Sequence, residues 1–428
     1  MSGLGDARFV ALGIADLNGS IRGKALSPAA FEAAVAEGTA MTNLMLAVDP
    51  VDAPIETYET IGLCSGAADL IARPDTETLG ELRWRPGWMA CLADLCWADG
   101  STCELAPRNA LRRALAEMRS VGYEVLAAFE YEIRLLDEDG RPPFADISYS
   151  VAEIAGLDAF LERLHSGLEG LGVGLAAVHT EAGPGLLEIN LDAREGLRAA
   201  DDAALVKLAV KEIAASFGWR ASFLAKTAPG EEGSSGHIHL SCWADGENAF
   251  AGEAGALSPV AAGAIAGMLQ HMPAASLLLN PTINSYKRLV PGWFAPVNAT
   301  WGFDNRSAAL RLIAGSRPGR SRVECRRPGA DANPYLALAA LVASAAKGIR
   351  EGATPPEPVS GDAAEQADAP SLPASLESAL SAFRADTALH AALGSELSAH
   401  FEVSREWELR AWQQSVSDWE RARYEAAV

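Results

Sequence analysis

Glu124-Val125-Leu126-Ala127-Ala128-Phe129-Glu130-Tyr131-Glu132-Ile133-Arg134-Leu135-Leu136 is an apolar run with carboxylates set into it. It reads as a strand, and a period of two turns Glu130 and Glu132 to one face of a sheet. Like charges held side by side on such a face need a cation. The same device recurs downstream. His237-Ile238-His239 puts both imidazoles on one strand face, and Arg322-Val323-Glu324-Cys325-Arg326 does the same with three charged side chains. Glu181 and Glu188 have the odd spacing that sends side chains to opposite faces of a straight strand. Gly183-Pro184-Gly185 bends the chain between them, so both can turn toward one cavity, with Asn190 following. Oxygen-rich donors with one histidine favour a hard cation, Mg²⁺ or Mn²⁺, over structural zinc; two ions are expected, or three. Each motif alone has a plainer reading: a solvated Glu-x-Glu face, a His-x-His in a satisfied turn beside Gly233-Ser234-Ser235-Gly236, an ion-pair ladder at residues 322–326. Their combination is what points to a site.

Around these strands the chain divides in two. Phe9 to Asp16, the turn Asn18-Gly19 and the return from Ser20 to Leu26 read as a hairpin, and Trp88 to Asp99 as a further strand. Pro107, followed by Leu111, Leu115 and Met118, opens a helix. A boundary near residue 104 is expected, separating residues 1–104 from 105–428. Beyond it, strand-like runs at 174–179, 220–226, 237–243 and 321–326 alternate with helical stretches such as 200–216, giving an α/β or α+β class. Asn333-Pro334 marks a helix start. Residues 351–372, rich in Pro, Gly, Ala and acid, read as a loop, and the C-terminal stretch as helical.

Composition removes other classes. The chain has 428 residues, 49% of them hydrophobic, enough for a sizeable core, and a formal charge of −21, the wrong sign for a general nucleic-acid binder. Its six cysteines have no CxxC spacing and read as reduced and structural. The longest uncharged apolar run with a helical pattern, Tyr335 to Ala346, is too short to span a bilayer, and no basic-then-apolar signal opens the chain, so a cytoplasmic location is expected. Gly19 to Ala25 falls short of a phosphate-binding P-loop, the glycines at 170, 172 and 174 do not complete a dinucleotide fingerprint, and no GxSxG elbow is present.

In their order, these segments resemble the glutamine synthetase superfamily over nearly the whole chain. The matching stretches include Asp16-Leu17-Asn18-Gly19, Arg22-Gly23-Lys24, Pro107-Arg108, Glu130-Tyr131-Glu132, His179-Thr180-Glu181, Glu188-Ile189-Asn190, Gly233 through Ser241, Asn284 through Gly292, Asn305-Arg306-Ser307-Ala308, residues 322–326 and Asn333-Pro334-Tyr335. The resemblance implies an α+β fold, a small N-terminal β-grasp domain followed by a catalytic domain whose curved antiparallel sheet lines a funnel. It implies a homo-oligomer, a dodecamer of two hexameric rings with sites between subunits. By residue-wise carry-over, Glu132, Glu181 and Glu188 would hold one divalent ion and Glu130, His237 and Glu324 the other. Arg306, Arg311 and Arg322 would clamp ATP phosphates, with His239 and Ser241 toward the nucleotide. Gly233, Arg288 and Arg326 would bind the acid substrate, glutamate, and Arg306 and Arg288 would serve catalysis.

Departures from the family pattern bear on the second substrate. Where ammonia-using members carry a glutamate after Pro-Gly-aromatic, this chain has Phe294, and the acidic N-terminal loop of the ammonium pocket is not recognisable in Met41 to Asp49. Trp293, Phe294 and Trp301 are expected to wall an apolar pocket, where an amine gains roughly 0.8 kcal/mol per buried CH₂. The expected activity is therefore ATP-dependent joining of glutamate to a small primary amine larger than ammonia; Asp49 and Asp52 are the candidate partners for a polyamine. Two alternatives stand beside it, a glutamine synthetase using ammonia and a non-catalytic assembly member. Leu186, Glu232 and Gly329 also replace the usual glutamine, asparagine and aspartate.

Overall fold

The computed structural model describes residues 3–252, 256–315 and 317–428. Near the N-terminus a 6-stranded sheet runs in the order Ile21–Leu26, Phe9–Ala15, Trp88–Cys96, Asp69–Pro74 and Thr39–Thr42, with Gly80–Glu81 paired to Trp88–Cys96. Helix Pro28–Glu37 buries Phe31 and Ala34 against it. Phe9–Ala15 pairs parallel to Trp88–Cys96 and antiparallel to Ile21–Leu26, the β-grasp arrangement. The hairpin tip is set by Asp16, whose Oδ1 accepts the Asn18 and Ser20 amides, both at 2.9 Å, while Gly19 supplies φ +78.

The second sheet has 10 strands. Its main path is Trp301–Phe303, Leu310–Ile313, Arg322–Cys325, Gly236–Ala244, Glu124–Leu136, Leu186–Leu191 and Leu175–Thr180, antiparallel except between the first two. Alternation decides which face is which. Val125, Ala127, Phe129, Tyr131, Ile133 and Leu135 are buried in one apolar core together with Ala203, Val206 and Val210 of helix Gly196–Ser216. Glu130 and Glu132 therefore point the other way. Register then sets the polar groups in rows: His237 opposite Glu130, Glu130 opposite Asn190, Glu132 opposite Glu188, Glu188 opposite His179, His239 opposite Glu324 and Glu324 opposite Arg311.

Two long helices cover the far side of the core. Pro334–Glu351 starts at Asn333, whose side chain accepts the Tyr335 and Leu336 amides, and ends at Gly352 in the left-handed region. Asn333 also donates to the Asp16 carbonyl at 2.8 Å, docking the N-terminal hairpin on the helix start. Pro259–Leu279, capped by Ser258, packs on Pro334–Glu351 through Gly263, Gly267 and Gly348, where an added Cβ would overlap the opposing backbone. This corrects the sequence expectation that Tyr335 to Ala346 is the longest uncharged apolar helical run. Pro259–Leu279 is 21 residues long and apolar enough to cross a membrane by length and composition, but 83% of its most apolar window is buried inside the protein.

One further expectation changes. The strand expected over 220–226 stops at Ser222, because the Lys226 amide and carbonyl bond the Asn284 side chain, at 2.8 and 2.9 Å, instead of a neighbouring strand. The segment expected as a loop at 351–372 is irregular from Ala353 onward and is tied down as a strap. The Leu372 amide bonds the Val297 carbonyl, the Val359 amide bonds the Trp301 carbonyl, and the Ala363 amide bonds Ser307 Oγ.

Candidate active site

One cavity of about 920 Å³ opens on the polar face of the large sheet. Its lining includes Glu130, Glu132, Glu181, Glu188, His237, His239 and Glu324, with Arg288, Arg306, Arg311, Arg322, Arg326, Gly233, Trp293 and Phe294. Side chains far apart in sequence thus share one space. Ser241 lies one strand period beyond His239 but does not line the cavity; its Oγ accepts the Trp243 indole N–H at 2.9 Å.

The donor atoms fall into three triads: Glu130, His239 and Glu324; Glu130, Glu188 and His237; and His179, Glu181 and Glu188. Within each, one donor atom per residue lies within 4.8 Å of the others, a spacing that suits a shared cation. His237 Nδ1 stands 3.6 Å from Glu130 and 3.5 Å from Glu324, while its buried Nε2 has no hydrogen-bond partner. Carboxylate oxygens with a spare imidazole nitrogen fit a hard divalent ion. The grouping differs in detail from the sequence expectation. Among the described residues Glu132 joins none of the triads, although it lies opposite Glu188 and its Oε2 accepts the Ser235 amide at 2.6 Å; His179 joins Glu181 and Glu188.

Electrostatics show how tightly these charges are held. Burial alone would push Glu130 up, but His237 and His239 beside it hold its carboxyl well below the usual carboxylate range. Glu324 is pulled down to about 2: burial opposes ionisation, and Arg326 with the two histidines outweighs it. Burial raises Glu181, and the neighbouring Glu132 and Glu188 raise it further. His179 rises in spite of burial because Glu188 Oε1 lies 3.1 Å from its Nε2. Arg322 Nε donates to His239 Nδ1 at 3.1 Å, leaving Nε2 of that ring to face Glu130 Oε1 at 2.8 Å. Glu324 also takes Arg311 at 3.0 Å and Arg326, so its site is an ion-pair ladder as well as a candidate ligand position.

At the other end of the cavity, buried Arg288 donates to Ser235 Oγ at 3.1 Å and to the Arg327 carbonyl. Gly233 is required there, because a side chain at that position would overlap Arg288 Cγ. Trp293 and Phe294 form an exposed flap; Lys226 Nζ sits 4.3 Å from the Trp293 ring centre, and Phe294 adopts φ +52, a left-handed conformation costly for a bulky residue. Trp301 is not part of this wall. It is buried, with its indole N–H on the Pro356 carbonyl at 2.7 Å. Asp49 and Asp52 are also elsewhere, the first accepting the Val51 and Ala53 amides and the second paired with Arg22 at 2.6 Å.

Sequence reasoning missed His179 and Tyr149 as wall residues, while Asn190 lines the cavity beside Glu188 as the bend at 183–185 suggests. His179 and Glu181 share the period-two spacing that exposed the other pairs, so its signal was present. Tyr149 comes from a loop with no such period; it stacks on His179 with ring centres 4.2 Å apart. Asn190 Nδ2 donates to Glu188 Oε1 at 2.8 Å and orients it.

Known proteins with the same pattern can be set beside this geometry. The family model for the glutamine synthetase catalytic domain matches residues 104–424. The glutamate–isopropylamine ligase of a Pseudomonas species is 35% identical over 97% of this chain and 94% of its own length. The γ-glutamylethanolamide synthetase GlnA4 of Streptomyces coelicolor is 38% identical over 98% of this chain and 93% of its own. A solved structure named "GmaS/ADP complex-Conformation 1" superposes with a TM-score of 0.88 at 28% identity, covering 99% of this chain and 97% of that one. The chain belongs to the glutamine synthetase superfamily and is a ligase of that family.

Proposed function

We propose that this ligase joins the γ-carboxylate of glutamate to a primary amine other than ammonia, using ATP, to give a γ-glutamyl amide. The observation that carries the reading is Phe294, an exposed aromatic side chain on the flap of the acid-lined cavity, at the position where ammonia-using members carry a glutamate. Relatives named for isopropylamine and for an ethanolamide, and a structural neighbour solved with ADP, support the amine class and the nucleotide.

The chemistry follows from the charges. A carboxylate is a poor acyl donor, because its leaving group would be oxide. Transfer of the γ-phosphoryl group of ATP to the carboxylate oxygen gives an acyl phosphate and ADP. The amine nitrogen then attacks the carbonyl carbon, the C–O bond to phosphate breaks, and the extra proton on nitrogen passes to the departing phosphate, which leaves as hydrogen phosphate. A divalent cation held by Glu130, Glu188, His237 and their neighbours would supply charge neutralisation for the phosphates. Arg306, Arg311 and Arg322 take the remaining phosphate charge, and Arg288 with Arg326 holds the substrate carboxylate. Arg311 and Arg326 now neutralise Glu324, so they exchange that partner for the anions as these arrive.

Phosphate release measured across ammonia, alkylamines, ethanolamine and diamines tests the reading. Ammonia outcompeting every substituted amine would establish a glutamine synthetase instead, and no turnover with any of them a non-catalytic member. Retention of the whole acid and histidine set argues against loss of chemistry, since buried carboxylates without a purpose are costly. The ring assembly implied by the family remains part of the proposal, and its mass in solution tests it.

A further inference from the structure

A second cavity of about 320 Å³ lies between the flap and the strap, and it shares Gly292, Phe294, Ala295 and Arg306 with the main one. Phe294 is thus a partition with a cavity on each side of it. The far walls are Val297 on the flap and Gly361 and Ala364 on the strap. The polar groups there are largely committed to one another. Asn305 donates to the Val359 and Gly361 carbonyls, at 3.1 and 2.9 Å, and accepts from Ser307. Ser307 Oγ in turn accepts the Ala363 amide at 2.8 Å, and Asp362 caps the Ala364 amide at 2.9 Å. Arg306 and Asp362 add charge to the lining, and the apolar surface beside them comes from Phe294, Ala295, Pro296, Val297 and Ala364.

Both walls are fixed in advance. Arg327, fully buried, donates to the Pro296 carbonyl of the flap at 2.7 Å and to the Pro373 carbonyl at the end of the strap at 2.5 Å. One guanidinium therefore ties the two segments that face each other across the space. A cavity of this size greatly exceeds the share of a single water molecule, about 30 Å³, and accommodates several heavy atoms.

We propose that this side cavity is the subsite for the aliphatic substituent of the amine, the nitrogen lying in the main cavity and the carbon chain passing Phe294 to rest between Val297 and Ala364. The inference rests on the amide-ligase reading above. It accounts for two features together, the aromatic residue at the flap tip and the tying of a Pro-rich strap against the flap. Ammonia would leave the subsite empty, whereas each added methylene buries apolar surface.

The test compares kcat/KM for methylamine, propylamine and butylamine in the wild type, in Ala364→Trp and in the milder Ala364→Leu, with thermal melts to verify folding. The expected result is a rise with chain length in the wild type and at least a tenfold loss of the butylamine-to-methylamine ratio in Ala364→Trp. Ala364→Leu falls between them. A ratio unchanged in both folded variants, or equal losses for all amines, overturns the subsite and leaves the ligase reading intact. A wild-type enzyme that makes no amide from any amine overturns both.

Discussion

The Oδ1 atom of Asp331 fills the space that a side chain on Gly329 would enter, so a Cβ at residue 329 would overlap it. Oδ2 of the same carboxylate accepts Thr282 Oγ1 at 2.9 Å and Ser285 Oγ at 2.6 Å, fixing the turn that leads into Arg288. Glycine where the family carries aspartate, with an aspartate two residues on, is thus a coupled exchange. Gly329→Ala should cost roughly 1–3 kcal/mol by overpacking, most of it absent when Asp331→Ala is also made. Denaturant melts of the four-member cycle check this. Asp331→Ala alone should raise KM for glutamate about tenfold while leaving KM for ATP near its starting value.

Cation binding should be visible without turnover. Carboxylates crowded around His237 repel one another until a positive ion joins them, so Mg²⁺ at about 100 times its Kd should stabilise the fold by about 2.7 kcal/mol. Glu130→Ala should remove that shift and abolish ATP turnover, with the particle mass by light scattering equal to that of the wild type. Undiminished ATP turnover in that variant counts against the metal role.

Flap chemistry should be reversible by design. Phe294→Glu places a carboxylate where the amine approaches and should raise the use of ammonia relative to alkylamines. The ratio of the two kcat/KM values is the measurement, and an unmoved ratio means that the flap does not set selectivity.

Acid sensitivity has an identifiable contributor far from the site. His400 stacks on Tyr58 with ring centres 3.9 Å apart, and its Nε2 meets the Leu46 carbonyl at 2.7 Å. Burial pushes its pKa down to about 4 from 6.5. The folded value is depressed, so below pH 6.5 the unfolded chain takes the proton first, and stability drains away as the pH falls to about 4. The loss is roughly 3 kcal/mol by linkage. His400→Gln should flatten that part of the pH profile in chemical denaturation.

The parts of the site legible in the sequence were those that alternation makes visible. Glu130 and Glu132, His237 and His239, and Arg322, Glu324 and Arg326 each betray their face through a spacing of two, and the bend at residues 183–185 explains Glu181 and Glu188. Pairings across strands carry no such mark, so the grouping of His179 with Glu188 shows only once register is known. Trp301 shows the opposite failure. An aromatic residue near the flap reads as pocket wall, but the core and the Pro356 carbonyl claim it. The strap at 351–372 reads as loop from composition alone, because its order comes from partners on residues 297–307.

Helix Pro259–Leu279 carries a different kind of consequence. Native packing presses the glycine-bearing face of an uncharged, greasy segment against Pro334–Glu351. Once heat separates those helices, the segment becomes sticky toward every other denatured copy in the tube. Melting should then be a one-way process, ending in precipitate, with an apparent midpoint that depends on heating rate and protein concentration.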